Sequence, residues 1–145
     1  LEVKFHVDDM TGEDLGAFTE ALLDGPALDV TVLSGVGKKG RPQQWVEVIA
    51  SPTHEDAVLD LVFTHASTFG VRVRRAERLA LQRDLHQVDT RFGQVRVKAA
   101  LHHGQVHAEH DDCWRLAQEH GVGVMQVREA AVAAYKNGQL DENKA

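Results

Sequence analysis

Leu1, Val3, Phe5 and Val7 alternate with Glu2, Lys4, His6 and Asp8, the two-residue period of a strand with one face buried. The period then lengthens. Leu15, Phe18, Leu22 and Leu23 recur at helical spacing, Thr11 stands at the N-cap position, Glu13 and Asp14 fill the first turn, and Gly25-Pro26 stops the helix. The apolar, β-branched runs from Leu28 to Leu33 and from Trp45 to Ala50 predict two strands joined as a hairpin through a long glycine-rich loop. Thr53 is the expected cap of a second helix, with Asp56 in its first turn and Val58, Leu61, Val62 and His65 along one face. Val71 and Val73, alternating with Arg72 and Arg74, predict a fourth strand. The order strand, helix, strand, strand, helix, strand is that of the split βαβ, or ferredoxin-like, arrangement.

Beyond it, Leu79 to Thr90, Phe92 to His102 and Gln105 to Glu109 alternate like antiparallel strands, with turns at Phe92-Gly93 and His103-Gly104. Two short helices are expected to close the chain, one around Trp114, Leu116 and Ala117 ending at Gly121, the other through Val127, Ala131, Ala134 and Tyr135. The expectation is therefore an α+β fold: a ferredoxin-like βαββαβ half extended by antiparallel β-hairpins and two short C-terminal helices. In residues, a single domain covers 1–140, with 1–75 the ferredoxin-like part and 76–140 the extension; the polar segment from Lys136 frays and 141–145 form a disordered tail.

Composition narrows the function classes. With 145 residues, 43% of them hydrophobic, the chain can build one real core and is too short for two ordinary catalytic domains. Sixteen Lys and Arg against 22 Asp and Glu give a net charge of −6, which argues against general binding to nucleic acid or to acidic membranes. An anionic ligand must then be met by a local basic cluster. Cys113 is the sole cysteine, so an intrachain disulfide is excluded and a cytoplasmic location is the plainer expectation. No run approaches the ~18 apolar residues of a membrane span, and the first residues lack a signal-peptide pattern. Strand-like alternation begins at Leu1 with no initiator Met, as expected of a fragment of a longer protein.

The split βαβ topology brings three segments to one sheet edge: Asp8-Asp9-Met10-Thr11-Gly12, the loop from Gly35 to Pro42, and Ser67 to Arg72. Glycine backbone can form an anion-holding concavity, Lys38 and Lys39 supply point charges beside Gly40, and Arg41 adds a planar fork for phosphate oxygens. Magnesium or manganese on a triphosphate needs only one or two protein carboxylates, and Asp8 and Asp9 would be sufficient. Thr11 and Gly12 at the helix start, and Thr68 and Arg72 from the third segment, complete the candidate site. Each motif also has an ordinary reading. Paired acids before a helix favour its dipole, a Lys-Lys-Gly-Arg loop is often a solvated hairpin tip, Ser67-Thr68 can be a simple turn, and Arg72 a solvent-facing strand residue.

His102, His103, His107 and His110, with Glu109, Asp111 and Asp112, offer a rival reading as a nickel or zinc cluster. No two of these histidines have the i, i+4 helical spacing that presents paired ligands, so a solvated hairpin is the better expectation. Cys113 is read as structural, and Trp45 and Trp114 as core residues, since each lies in an apolar periodic run. A non-catalytic ferredoxin-like regulatory or oligomerisation module is the alternative from another function class.

Several segments, in order, resemble a known family. They are Val7-Asp8-Asp9-Met10 with Gly12-Glu13, Ala27-Leu28-Asp29-Val30, Lys38-Lys39-Gly40-Arg41-Pro42, Phe69-Gly70-Val71-Arg72, Leu81 with Arg83, Thr90 with Phe92-Gly93, Val95 and Val97-Lys98, and Glu109 to Cys113. The family they resemble is the nickel-pincer nucleotide cofactor biosynthesis protein LarC, a nickel insertase or cyclometallase, in its C-terminal domain. Gly37 stands where the family has Met, Ala108 where it has Pro, and the region preceding the first strand is absent. The resemblance implies an enzyme that inserts nickel into pyridinium-3,5-bisthiocarboxylic acid mononucleotide, a lyase forming two nickel–sulfur bonds and one nickel–carbon bond, with CTP hydrolysis and a need for Mn2+ or Mg2+. Its product serves lactate racemase. The resemblance further implies that this part binds CTP, assembles as a trimer or hexamer, and works with an N-terminal domain or partner chain that handles the mononucleotide. By position, Asp8 and Asp9 fall in the family's metal and triphosphate motif, and Lys38, Lys39 and Arg41 in its phosphate loop.

Overall fold

A computed structural model describes residues 1–142 of the chain, which divides into two compact units, Leu1–Arg78 and Leu79–Ala145. In the first, β1 (Glu2–Val7), α1 (Gly12–Leu23), β2 (Ala27–Val36), β3 (Pro42–Ala50), α2 (Glu55–His65) and β4 (Arg72–Arg74) follow the expected order. The strands lie β2-β3-β1-β4, every neighbouring pair antiparallel, which is the ferredoxin-like sheet. Register puts Val3 opposite Val48 and Phe5 opposite Val46. Those residues point to the face that Phe18 and Leu22 of α1 and Val58 and Val62 of α2 cover, forming one buried cluster. Burial of each large apolar side chain there contributes about 1.5–3 kcal/mol. Thr11 caps α1 as expected, its Oγ1 accepting from the Asp14 amide at 3.1 Å.

Two expectations need correction in this unit. Thr53 is not the cap of α2: a 3₁₀ turn over Pro52–His54 precedes the helix, and the Oγ of Ser51 accepts from the Thr53 amide at 3.4 Å. Pro52 lacks an amide and has a helix-compatible φ, so the turn starts one residue ahead of Thr53. Trp45 is not core. It sits on the sheet face opposite the helices and is 43% exposed.

The second unit contains β5 (Arg83–Thr90), β6 (Gly93–Ala100), β7 (Val106–Ala108), α3 (His110–His120) and α4 (Val124–Glu142), with strand order β5-β6-β7. Val95 and Val97 of β6, Phe92, Cys113, Leu116 and Ala117 of α3, and Val127 and Ala131 of α4 make its core. The β5–β6 turn pairs Thr90 with Gly93; the Thr90 hydroxyl donates to the Gly93 carbonyl at 2.7 Å and accepts from the Phe92 amide at 3.1 Å. Gly93 has φ +123°, a conformation that favours glycine, and a Cβ there would lie 3.0 Å from Leu116 Cδ2, so a larger residue would also press on that side chain.

The strands here are shorter than the alternation predicts. β5 begins at Arg83 rather than Leu79, β6 ends at Ala100 and β7 covers three residues, because alternation runs on where no partner strand does. Helix α4 is longer than expected, 19 residues reaching Glu142; of the disordered tail expected from 141, the remainder lies outside the described residues. Trp114 is 51% exposed and stacks on His110 at 6.1 Å, which corrects its placement in the core. Cys113 is fully buried, and burial pushes its thiol above the ordinary range, consistent with a structural role.

Candidate functional site

The end of β1, the β2–β3 hairpin and the start of β4 meet at one edge of the first sheet. The hairpin is closed by the Gly37 amide donating to the Arg41 carbonyl at 2.8 Å, and Lys38–Gly40 form a 3₁₀ turn inside it. Lys39 adopts φ 60°, ψ 24° and Gly40 φ 71°, two successive left-handed residues that reverse the chain in little space. This conformation is uncommon for a side chain such as lysine, and Lys39 is the only non-glycine residue with positive φ among those described. Strain of this kind clusters at ligand clamps.

Around this turn is a cavity of about 590 Å³. His6 and Asp8 line it from β1 and its end, Gly37, Lys38, Lys39, Arg41 and Gln43 from the hairpin, and Arg72 from β4. Four cations therefore face one carboxylate. Arg41 Nη1 reaches Asp8 Oδ2 at 3.3 Å, but both side chains are about half exposed, so the pair contributes little. Lys38, Lys39 and Arg72 have no side-chain hydrogen bond or ion pair within the described residues. The excess positive charge, set on glycine-bearing backbone, suits a polyanion with several phosphate oxygens.

The structure separates the two adjacent acids. Asp8 faces this cavity, whereas Asp9 accepts a hydrogen bond from the Ser67 hydroxyl and lines a second cavity of about 570 Å³ with Met10, Asp14, His65 and Ser67. The side-chain alternation of β1 thus continues past its last paired residue. Thr11 is engaged as the helix cap, also donating to Asp14 Oδ2 at 2.6 Å, and Gly12 is the first residue of α1; neither lines the first cavity. Thr68 closes a local turn, donating to the Gly70 carbonyl at 2.9 Å. Of the expected residues, then, Asp8, Lys38, Lys39, Arg41 and Arg72 come together, with Gly40 shaping the turn.

Sequence reasoning missed His6 and Gln43. The signal was available: His6 shares the even-numbered face of β1 with Asp8, and Gln43 pairs with Gly35 on that same face. Among the described residues, no group of three or more His, Cys, Asp or Glu is arranged to hold a metal ion, at the histidine-rich segment or elsewhere. No helix there is long and apolar enough to cross a membrane.

A ferredoxin-like unit with a basic cavity at one sheet edge, followed by a three-stranded sheet with two helices, defines the chain as an α+β domain. Within that class the chain belongs to the nickel insertion protein family, whose model matches residues 1–128. It is 42% identical over 135 residues to a putative nickel insertion protein of Myxococcus xanthus, covering 91% of this chain and 35% of that protein. It is 33% identical over 127 residues to the pyridinium-3,5-bisthiocarboxylic acid mononucleotide nickel insertion protein of Acetivibrio thermocellus, covering 86% of this chain and 31% of that one. The chain thus spans about a third of the length of these relatives. Among solved structures, it superposes on LarC2, the C-terminal domain of a cyclometallase involved in synthesis of the NPN cofactor of lactate racemase, in its apo form. The TM-score is 0.87 at 31% identity, over 93% of this chain and 95% of that one. It is a LarC C-terminal-like domain. A protein from Methanopyrus kandleri shares the fold, with TM-score 0.69 at 24% identity over 94% and 86% of the two chains.

Proposed function

We propose that this domain binds CTP with Mn2+ or Mg2+ and serves as the nucleotide-binding part of a nickel insertase. The observation that carries the reading is the cavity in which Lys38, Lys39, Arg41 and Arg72 face the single carboxylate of Asp8. Lys38 and Lys39 neutralise phosphate oxygens as point charges, while Arg41 and Arg72 offer planar forks. A protein-held metal centre does not fit residues that supply one carboxylate. An ion carried by the triphosphate does, because phosphates and water fill its remaining positions. Asp8 would hold that ion, which screens phosphate charge, and Arg41 is then released from Asp8 to a phosphate oxygen. Asp9 acts through Ser67 in this reading, bracing the segment that follows α2. Thr11 and Gly12 fix the start of α1 beside the site, and Thr68 shapes the approach to Arg72.

The larger protein would use this domain in CTP-dependent insertion of nickel, the substrate ion, into pyridinium-3,5-bisthiocarboxylic acid mononucleotide. An N-terminal domain or partner chain would carry that mononucleotide, and this domain would assemble as a trimer or hexamer. Titration with CTP and with cytidine, each with Mn2+, tests the proposal. Saturable CTP binding with cytidine at least about tenfold weaker is expected, since phosphate contacts supply the affinity. No saturable CTP binding at millimolar concentration defeats it. Replacement of Asp8 by Asn should remove much of the Mn2+ dependence; an unchanged Mn2+ titration would show that the phosphates alone hold the ion.

A further inference from the structure

The second unit holds a cavity of about 690 Å³ at the end of its sheet where β5 and β7 begin and β6 finishes. Asp84, Ala99 and Val106 are register partners, so they stand in one row, on the face where Val95 and Val97 are buried. In the neighbouring row His86 is the register partner of Val97, and Tyr135 of α4 lays its ring against the His86 imidazole with centroids 5.0 Å apart. Ala99 carries only a methyl group at the centre of its row, so sheet and helix leave space between them there. Asp84, His86, Ala99, Val106, Tyr135 and Lys136 all line that space. Cavities of about 300–1,000 Å³ that combine an apolar lining with a few polar groups are the usual form of small-ligand sites.

We infer that this cavity is a second ligand site, for a small aromatic molecule that carries both an ammonium and a carboxylate, the chemistry of an aromatic amino acid. Ala99 and Val106 give an apolar floor, and Tyr135, braced by His86, a flat wall on which an aromatic ring packs. Asp84 and Lys136 supply one charge of each sign. Both side chains are exposed, and neither has a hydrogen bond or ion pair among the described residues. Elsewhere in the unit neighbouring opposite charges pair directly, as Arg96 does with Asp112 and Lys98 with Glu109. Here they are held apart, so a ligand with two like charges meets one of them unfavourably, whereas a zwitterion satisfies both. The site lies within the second unit and does not depend on the triphosphate reading.

The test uses the complete chain with L-phenylalanine as probe, beside 3-phenylpropanoate, which lacks the ammonium, and 2-phenylethylamine, which lacks the carboxylate. Backbone amide NMR should show saturable shifts with L-phenylalanine at millimolar concentration, concentrated at residues 84–86, 99–106 and 135–139. Each single-charge probe should bind about tenfold more weakly. Lys136→Ala should abolish the advantage of L-phenylalanine over 2-phenylethylamine, and Asp84→Asn its advantage over 3-phenylpropanoate. Both positions are exposed, so either variant should unfold at the urea midpoint of wild type. No saturable shift with L-phenylalanine, or shifts clustered outside those residues, overturns the inference. Equal affinity for the three probes overturns the zwitterionic ligand, as does L-phenylalanine binding that is unchanged in both variants.

Discussion

In the second unit, Arg96 donates to Asp112 from Nε and Nη2 at 2.8 and 3.0 Å, and the Arg96 amide adds a third hydrogen bond at 2.9 Å to the same carboxylate. Lys98 lies 2.5 Å from Glu109 Oε1, an ion pair without the alignment of a hydrogen bond, and Arg115 pairs with Glu119 at 3.1 Å one helical turn away. At the edge of the first unit, Lys38, Lys39 and Arg72 have no such partner, and Arg41 shares one half-exposed acid. Net charge hides this contrast, since the chain as a whole is acidic at −6. Cations placed together without counter-charge repel one another and cost stability, an imbalance that the proposed triphosphate would offset. Arg96–Asp112 and Lys98–Glu109 join β6 to the start of α3, while Arg115–Glu119 lies within α3.

The comparison breaks first at the lysines. Replacing Lys38 and Lys39 together with Ala should weaken CTP by about 100-fold, taking ~1.5 kcal/mol for each charged hydrogen bond lost. Urea denaturation should show stability within ~0.5 kcal/mol of wild type. A large loss of stability would make the hairpin a structural element.

The converse substitution is Asp112→Ala, which leaves Arg96 without its partner between β6 and α3. It should cost about 2 kcal/mol in urea denaturation and leave CTP affinity unchanged. The side-chain hydrogen bond from Arg96 is the foremost cause holding the Asp112 carboxyl below its ordinary value of 3.8. A carboxyl with a depressed folded pKa contributes stability above its unfolded pKa and loses it as pH falls through the folded value. Stability should therefore decline with acidification below about pH 4, and less steeply in Asp112→Asn, as a denaturation series from pH 5 to pH 2 would show.

Smaller effects sharpen the contrast. Gly93→Ala should cost about 1–2 kcal/mol through its positive φ and the approach to Leu116, with nucleotide binding untouched. Thr11→Ala should cost about 1 kcal/mol as the lost cap of α1, and any fall in CTP affinity beyond about twofold would place Thr11 in direct contact with ligand.

Most of the first unit is legible in the alternation of β1, the capped period of α1 and the punctuated hairpin, because one face of the sheet is buried and the pattern records it. The convergence of Asp8 with Lys38, Lys39, Arg41 and Arg72 followed from topology alone. The expectation that Asp8 and Asp9 serve one ion took Met10-Thr11-Gly12 as ending or bulging the strand there, whereas the alternation of β1 carries on past Val7 and sends the two acids to different cavities. Trp45 was misplaced for a related reason: it lies within an apolar run, yet its register with His6 puts it on the solvent face. A run of apolar residues shows that a strand exists without showing which face each residue takes. In the second unit, Leu79 and Leu81 extend the alternation beyond the point where β5 finds its partner, so periodicity overstated the strand.

The central claim, that the unpaired cations at the first sheet's edge receive a triphosphate, is tested most directly by backbone amide NMR during titration with Mg2+ and CTP. Shifts should concentrate at residues 6–9, 37–43 and 72, while residues 93–120, with their paired charges, stay within the scatter of a buffer control. Shifts clustered in 93–120 with the hairpin unmoved, or no shifts at millimolar CTP, would contradict the account.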